Sequence, residues 1–422
     1  MQSGTERLLP SAVMRRIEAS GRPAAVVLGT NVTGLTIARA LSSEGVSVIG
    51  INDPRHALTN ASNAFHFVPF ERFYDEALVD LLEEIATLLP QRPVLFAARD
   101  ELVTLVSENG HRLHASYAFE MPAPEDVRVL MNKNLFTGVA RERGWPVPET
   151  WYCESAQDVE RVARDAPFPV ILKPRLKNRE TRRNSPRKAF ICDSATVLRD
   201  KYRLLSQWEP EVIIQQWIAG TDADIRFSFH YFDSDMNELE HFEGRKIRQY
   251  PPQCGSTSCA IGAEHEEVTA LSREILRTMR SIGFCSVEYK REPQTGTYYI
   301  MEPTVGRVNL QVGVAVANNV NLIAHAYCHL TGRRYEQRGA RSHHVKWVLL
   351  PQDIRSARYY IHRGELNWNG YLRSISGSRV VMPFSASDLP LARALISGVP
   401  RGLLKRLRHS TGGPQVVRDG TE

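Results

Sequence analysis

A short apolar run, Ala24–Leu28, stops at Gly29 and is followed by helical spacing over Gly34–Leu41 and by a second apolar run, Val46–Ile51. Strand, turn, helix and strand in that order predict a parallel sheet. Helical spacing returns over Ala77–Leu89, a buried strand is expected over Pro93–Ala97 and a helix over Glu101–Glu108, so 22–125 reads as an α/β domain. Further along, the pattern predicts a helix over Asn134–Gly144 closed by its glycine, and then a helix over Asp158–Arg164. Strands are expected over Pro169–Lys173, with a lysine at its end, over Val212–Ile218, running into Ala219-Gly220, and over Asp224–Phe232. A long amphipathic helix over His265–Ile282, two strands around the turn Pro293–Gly296 and a helix over Val320–Leu330 follow. Residues 340–422 mix short segments and carry no motif.

The 422 residues suffice for two or three domains, and 42% apolar with 24% charged residues excludes a largely disordered chain or a coiled coil. The longest stretch without a formal charge, Val308–Gly332, is broken by Asn309, Gln311, Asn318, Asn319, Asn321, His325 and His329, so no membrane span is expected. Charges at Glu6, Arg7, Arg15, Arg16 and Glu18 argue against a signal peptide. Six cysteines without a Cys-x-x-Cys pair read as reduced thiols, and a cytoplasmic location is expected. The net charge of +6 matches the excess in one stretch, where Arg175, Lys177, Arg179, Arg182, Arg183, Arg187 and Lys188 face only Glu180. Outside that stretch the chain is balanced, so no nucleic-acid footprint is expected and any anion is held locally.

The sharpest chemical signal is a pair of carboxylates. Glu288 and Glu302 flank a turn centred near Gln294-Thr295, and in an antiparallel hairpin that places them opposite each other. A cation between them relieves the repulsion, and hard oxygen ligands shared with phosphate suit magnesium. Taken alone, the hairpin is more simply explained by a lysine or arginine beside each glutamate.

Lys133 opens a helix, Lys173 ends a strand, and Val212–Ile218 carries two glutamines before an Ala-Gly turn. With Leu130-Met-Asn-Lys-Asn134, Ile213-Ile-Gln-Gln-Trp-Ile-Ala-Gly220, Ser286-Val-Glu-Tyr-Lys290 and Met301-Glu-Pro-Thr-Val-Gly-Arg307, this order resembles the ATP-grasp superfamily of carboxylate–amine ligases over about residues 22–335. The resemblance implies an α/β ATP-grasp fold with a Rossmann-like domain at 22–125, an ATP-grasp domain at 126–335 holding nucleotide and magnesium, and a C-terminal extension at 340–422. It implies that Lys133 and Lys173 contact the ATP phosphates, that the backbone of Trp217 and Ile218 meets the adenine edge with Gln216 accepting from its amino group, and that Asp224, or Asp222, holds the ribose. Glu288 and Glu302 would hold magnesium, and Arg307 would steady the transferred phosphoryl group or the substrate carboxylate. The implied reaction joins a small carboxylate to an amine through an acylphosphate, releasing ADP and phosphate, in a chain compatible with a homodimer.

Three positions depart from the family pattern. Thr304 stands where an asparagine ligand is usual, with Asn309 nearby; Gln216 replaces a glutamate; and the phosphate-covering loop is the basic stretch 175–188, without a glycine. That loop is expected to order over the polyphosphate when ATP binds, the alternative being a solvated basic loop. Gly29-Thr-Asn-Val-Thr-Gly34 with Asp53 imitates a dinucleotide fingerprint but lacks its middle glycine, and reads more simply as a tight strand–helix turn. A nicotinamide-dependent oxidoreductase on that domain, or an ATP-binding scaffold without activity, are the competing functions. Asp100-Glu101, after a parallel strand, are candidate substrate contacts, while His343-His344, Cys254 and Cys259 read as structural.

Overall fold

The computed structural model describes residues 8–55, 58–175 and 189–397. Strands β1 (Ala25–Leu28), β2 (Val48–Asn52), β3 (His66–Pro69) and β4 (Val94–Ala97) form a parallel sheet in the order β3-β2-β1-β4. β1 is apolar throughout because both of its faces are covered. Val26 and Leu28 join a core with the helix Ala77–Leu88, and Ala25 and Val27 join one with the helix Val32–Ser42. The glycine pair is explained by this packing. Gly29 has φ +92°, and a Cβ on Gly34 would stand 1.8 Å from the Gly29 carbonyl oxygen.

A second sheet is antiparallel, with β5 (Thr150–Cys153), β6 (Val170–Pro174), β7 (Phe190–Cys192) and β8 (Val212–Gln216) in the order β5-β8-β6-β7. Val170, Leu172, Val212 and Ile214 pack on the helices Ala156–Asp165 and Ala195–Leu205. By strand alternation Lys173, Ile213 and Gln215 therefore occupy the opposite face. Residues 176–188, the bulk of the basic stretch, lie outside the described residues, and so does the expectation that it orders over ATP. Arg175 is described, and its Nη1 donates to Glu154 at 3.0 Å and Glu211 at 2.8 Å.

The largest sheet has seven strands: β9 (Ile225–Phe232), β10 (Glu238–Tyr250), β11 (Ser256–Gly262), β12 (Gly283–Arg291), β13 (Tyr298–Val305), β14 (Lys346–Leu349) and β15 (Arg379–Met382). Their order is β13-β12-β9-β10-β11-β14-β15. Two strands thus come from the region assigned to a C-terminal extension. β10 and β11 escape the sequence pattern because several positions buried in them are polar: Glu240, Lys246, Arg248 and Thr257. One continuous core runs from Ala25, Val27 and Leu35 through Phe227, Phe229 and Phe242 to Trp347 and Leu349. It fixes the parallel sheet against the large one, and β4 reaches that sheet's hairpin through a bridge between Ala97 and Arg307.

On the other face of the large sheet a buried polar network ties β9 and β10 to the helix Glu266–Thr278. His230 Nδ1 lies 2.6 Å from Glu238 Oε1, its Nε2 meets the Ser228 hydroxyl, and Arg273 Nε donates to Glu238 Oε2 at 2.8 Å. Burial pushes the His230 ring below its ordinary 6.5. Burial pushes Glu238 up, but its hydrogen bonds from His230 and Arg273 prevail and bring it to about 2. Both groups bind protons more tightly in the unfolded chain, so each contributes stability that is complete above its unfolded value and shrinks as the pH falls below it. Chemical denaturation is therefore expected to show stability falling from about pH 6.5 downward, with Glu238→Gln flattening the part of the slope below pH 4.5. A Glu238→Gln profile parallel to the wild type would assign that slope to other carboxylates.

Candidate active site

The hairpin β12–β13 places the two carboxylates as the spacing predicts. Glu288 pairs directly with Glu302, Ser286 with Thr304 and Cys285 with Val305. A register shift between Glu288 and Tyr289 absorbs the one residue by which the turn centre misses the pair. Cys285, Val287 and Tyr289 enter the core beside the helix Glu266–Thr278, so Ser286 and Glu288 face the opposite way, and Glu288 borders a cleft of about 440 Å³. Lys246, Glu302, Thr304, Arg307 and Asn309 also border this cleft. Asp100 and Glu101 do so from the far side, at the C-terminal edge of the parallel sheet.

Glu288 already has a cation. Lys246 on β10 is 2% exposed and donates from Nζ to Glu288 Oε1 at 2.9 Å and to Gln249 at 3.3 Å. The lysine partner that the bland reading of the hairpin requires therefore exists for Glu288. Glu302 is exposed and its side chain, among the described residues, has neither an ion pair nor a hydrogen bond. Nothing in the sequence marks Lys246, because β10 itself is not legible there. Arg307 donates from Nε to Asp100 at 2.5 Å, so the candidate catalytic arginine is held by a candidate substrate contact. Asn309 donates to Ser286 at 3.1 Å, which orients it on the same wall as Thr304.

Glu302 also borders a second, smaller cavity shared with Lys133, Lys173 and Gln215. Lys173 Nζ donates to Gln215 at 3.0 Å, and Gln215 donates onward to Thr150 at 2.9 Å. Strand alternation sends the two adjacent glutamines to opposite faces. Gln215 turns toward Lys173, whereas the Gln216 carbonyl oxygen accepts from the backbone N–H of Glu149 at 3.2 Å on the other side. Trp217 gives its backbone N–H to Pro169 at 3.1 Å, and its ring lies 4.7 Å from Lys290 Nζ. Ile218 is buried. Asp224 caps a short turn by accepting from Thr221 N at 2.7 Å and Thr221 Oγ1 at 2.9 Å. Asp222 is buried and accepts from Gln249, Gln253 and Tyr360. Burial pushes the Asp222 carboxyl up against these hydrogen bonds. Gln216, Trp217, Ile218 and Asp224 border neither cavity.

The dinucleotide alternative loses its two key positions. The side chain of Asn31 caps the helix Val32–Ser42, accepting from Gly34 N at 3.0 Å where a pyrophosphate would sit. Asp53 is held on both oxygens by Arg55, at 2.9 and 2.7 Å. All six cysteines are free thiols. Among the described residues no helix is long and apolar enough to cross a membrane.

A parallel N-terminal sheet, a small antiparallel sheet carrying a strand-end lysine, and a large sheet whose hairpin faces two glutamates make up the ATP-grasp fold, and the chain has that fold. Solved structures superpose on it, and two of them illustrate the match. They are a biotin carboxylase–β,γ-ATP complex from Campylobacter jejuni (TM-score 0.59, 14% identity, 78% of this chain and 75% of that one) and an N5-carboxyaminoimidazole synthetase from Staphylococcus aureus with ADP (TM-score 0.56, 12% identity, 75% and 79%). In sequence the chain is similar to a D-aspartate ligase of Enterococcus faecium (strain Aus0004), 23% identical over 251 residues. The match spans 56% of this chain and 58% of the ligase, little more than half of either. No family model matches the chain.

Proposed function

We propose that the chain is an ATP-dependent ligase that joins a small-molecule carboxylate to an amine, with magnesium held at Glu288 and Glu302. The observation that carries this reading is the position of Glu302: its side chain has no partner among the described residues, it stands opposite Glu288, and it borders both the cavity of Lys133 and Lys173 and the larger cleft of Lys246 and Arg307. The residues suit the metal. Magnesium takes one or two carboxylates and completes its shell with phosphate and water. Among the described residues no group of three His, Cys, Asp or Glu side chains converges into a closed cage. ATP would supply the phosphoryl group that activates the carboxylate as an acylphosphate, from which the amine then displaces phosphate to form the amide.

The chain's own residues position and neutralise. Lys133 and Lys173 present ammonium groups to one end of the polyphosphate, and Lys246 presents another beside the carboxylates. Arg307 exchanges Asp100 for the incoming carboxylate, for which its fork of donors is suited. Gln215, by accepting from Lys173, aims that ammonium across the smaller cavity. The relative named for D-aspartate makes amino acids the first substrates to test. ADP release measured across amino acids and other carboxylates, each with a panel of amines, tests the reading; no stimulation by any pair would leave an ATP-binding scaffold. The homodimer compatible with the sequence is read by sedimentation velocity.

Lys173→Ala is expected to weaken ATP binding about tenfold, the value of one hydrogen bond to a charged group, with Tm little changed. Calorimetry reads this directly. Unaltered affinity would reduce Lys173 to a partner of Gln215.

A further inference from the structure

Among the described residues, three polar atoms buried in the wall of the larger cleft lack hydrogen-bond partners: Gln311 Nε2, Thr257 Oγ1 and Arg99 Nε. Gln311 is 2% exposed and Thr257 3%, so each needs a partner from the protein or from a bound group. They come from three separate parts of the fold. Arg99 follows β4, Thr257 lies on β11, and Gln311 follows the hairpin. An amide nitrogen and a guanidinium Nε only donate, and a hydroxyl donates as readily as it accepts. A buried donor left unmade is costly, and a ligand that brings acceptors to this wall would offset that cost. An apolar group would leave all three atoms unpaired, and an ammonium would meet the charge of Arg99. A carboxylate offers two oxygens with about four acceptor positions. Arg99 is itself steadied, its Nη1 donating to the Tyr74 hydroxyl at 2.7 Å. None of the three belongs to the phosphate-facing set, since Lys133 and Lys173 border the other cavity and Lys246 is committed to Glu288.

We propose that Arg99, Thr257 and Gln311 form a second carboxylate subsite, which holds a non-reacting carboxylate of the substrate while Arg307 serves the reacting one. The substrate is then a dicarboxylate. This deepens the ligase reading and rests on it for the assignment of the reacting end.

Calorimetry on the full chain, with magnesium and a non-hydrolysable ATP analogue present, compares succinate and both enantiomers of aspartate with propionate and alanine. The dicarboxylates are expected to bind the wild type at least about tenfold more tightly, as for a hydrogen-bonded charge. Gln311→Leu and Thr257→Val, both close in shape to the originals, should each erase most of that preference and leave affinity for the nucleotide analogue unchanged. Equal affinity for the two classes in the wild type overturns the proposal without any variant. A loss that falls on the nucleotide instead overturns it too, and gives these donors to the polyphosphate. Failure of the ligase reading looks different: the dicarboxylate preference persists, yet no amine and carboxylate together release ADP.

Discussion

Glu302→Gln is expected to abolish magnesium-dependent ATP turnover, a loss of at least about 10²–10³-fold, as when a group that stabilises transition-state charge is removed. The fold should hardly notice. Glu302 is exposed and its side chain makes no hydrogen bond or ion pair among the described residues, so the neutral isostere removes charge and nothing else, within about 0.5 kcal/mol. Opposite Glu288, the loss leaves a single carboxylate, itself half committed to Lys246. An amide oxygen is a far poorer ligand for a hard dication than a carboxylate. Steady-state ADP release against magnesium concentration, with thermal unfolding as the control for folding, reads both halves. Turnover within a few-fold of the wild type would take the metal away from this hairpin.

Lys246→Met should be nearly as damaging, and for a different reason. The methionine fills much of the volume of the lysine stem, but it removes a buried ammonium that stands beside the carboxylate pair. A preorganised charge of this kind is worth about 10²–10³ in kcat where negative charge develops in a cleft with little water. Glu288 would lose its partner, and a part-buried carboxylate left unmatched costs about 1–3 kcal/mol. Magnesium should restore part of that stability by replacing the missing cation, so the Tm deficit is expected to narrow as magnesium is added. A variant with normal kcat would make Lys246 a structural counter-ion only, and a deficit indifferent to magnesium would separate Glu288 from the metal.

Much of the candidate site's geometry was legible because it is local. The register of Glu288 against Glu302 depends only on a turn a few residues long, and antiparallel pairing fixes the rest. Lys173 at the end of an apolar run, and Asp100 after another, are likewise set by elements whose pattern is continuous in sequence. That Gln215 is the partner of Lys173 was not legible. Adjacent residues on a strand point to opposite faces, and which face matters depends on the helices that cover the other one.

By itself, then, the sequence determined the α/β class, the order of most strands and helices, the strand–helix turn at Gly29–Gly34 and the facing glutamates, since these follow from short-range periodicity and turn chemistry. Only the tertiary structure decided that β10 and β11 lie in the middle of the large sheet, because their buried positions are polar and are paid for by partners distant in the chain: Lys246 by Glu288, Arg248 by Asp353. It also decided that Arg307 meets Asp100 across more than two hundred residues, and that Arg99, Thr257 and Gln311 border one cleft. Such contacts leave no periodic trace, because each is the meeting of elements that share a core rather than a stretch of chain.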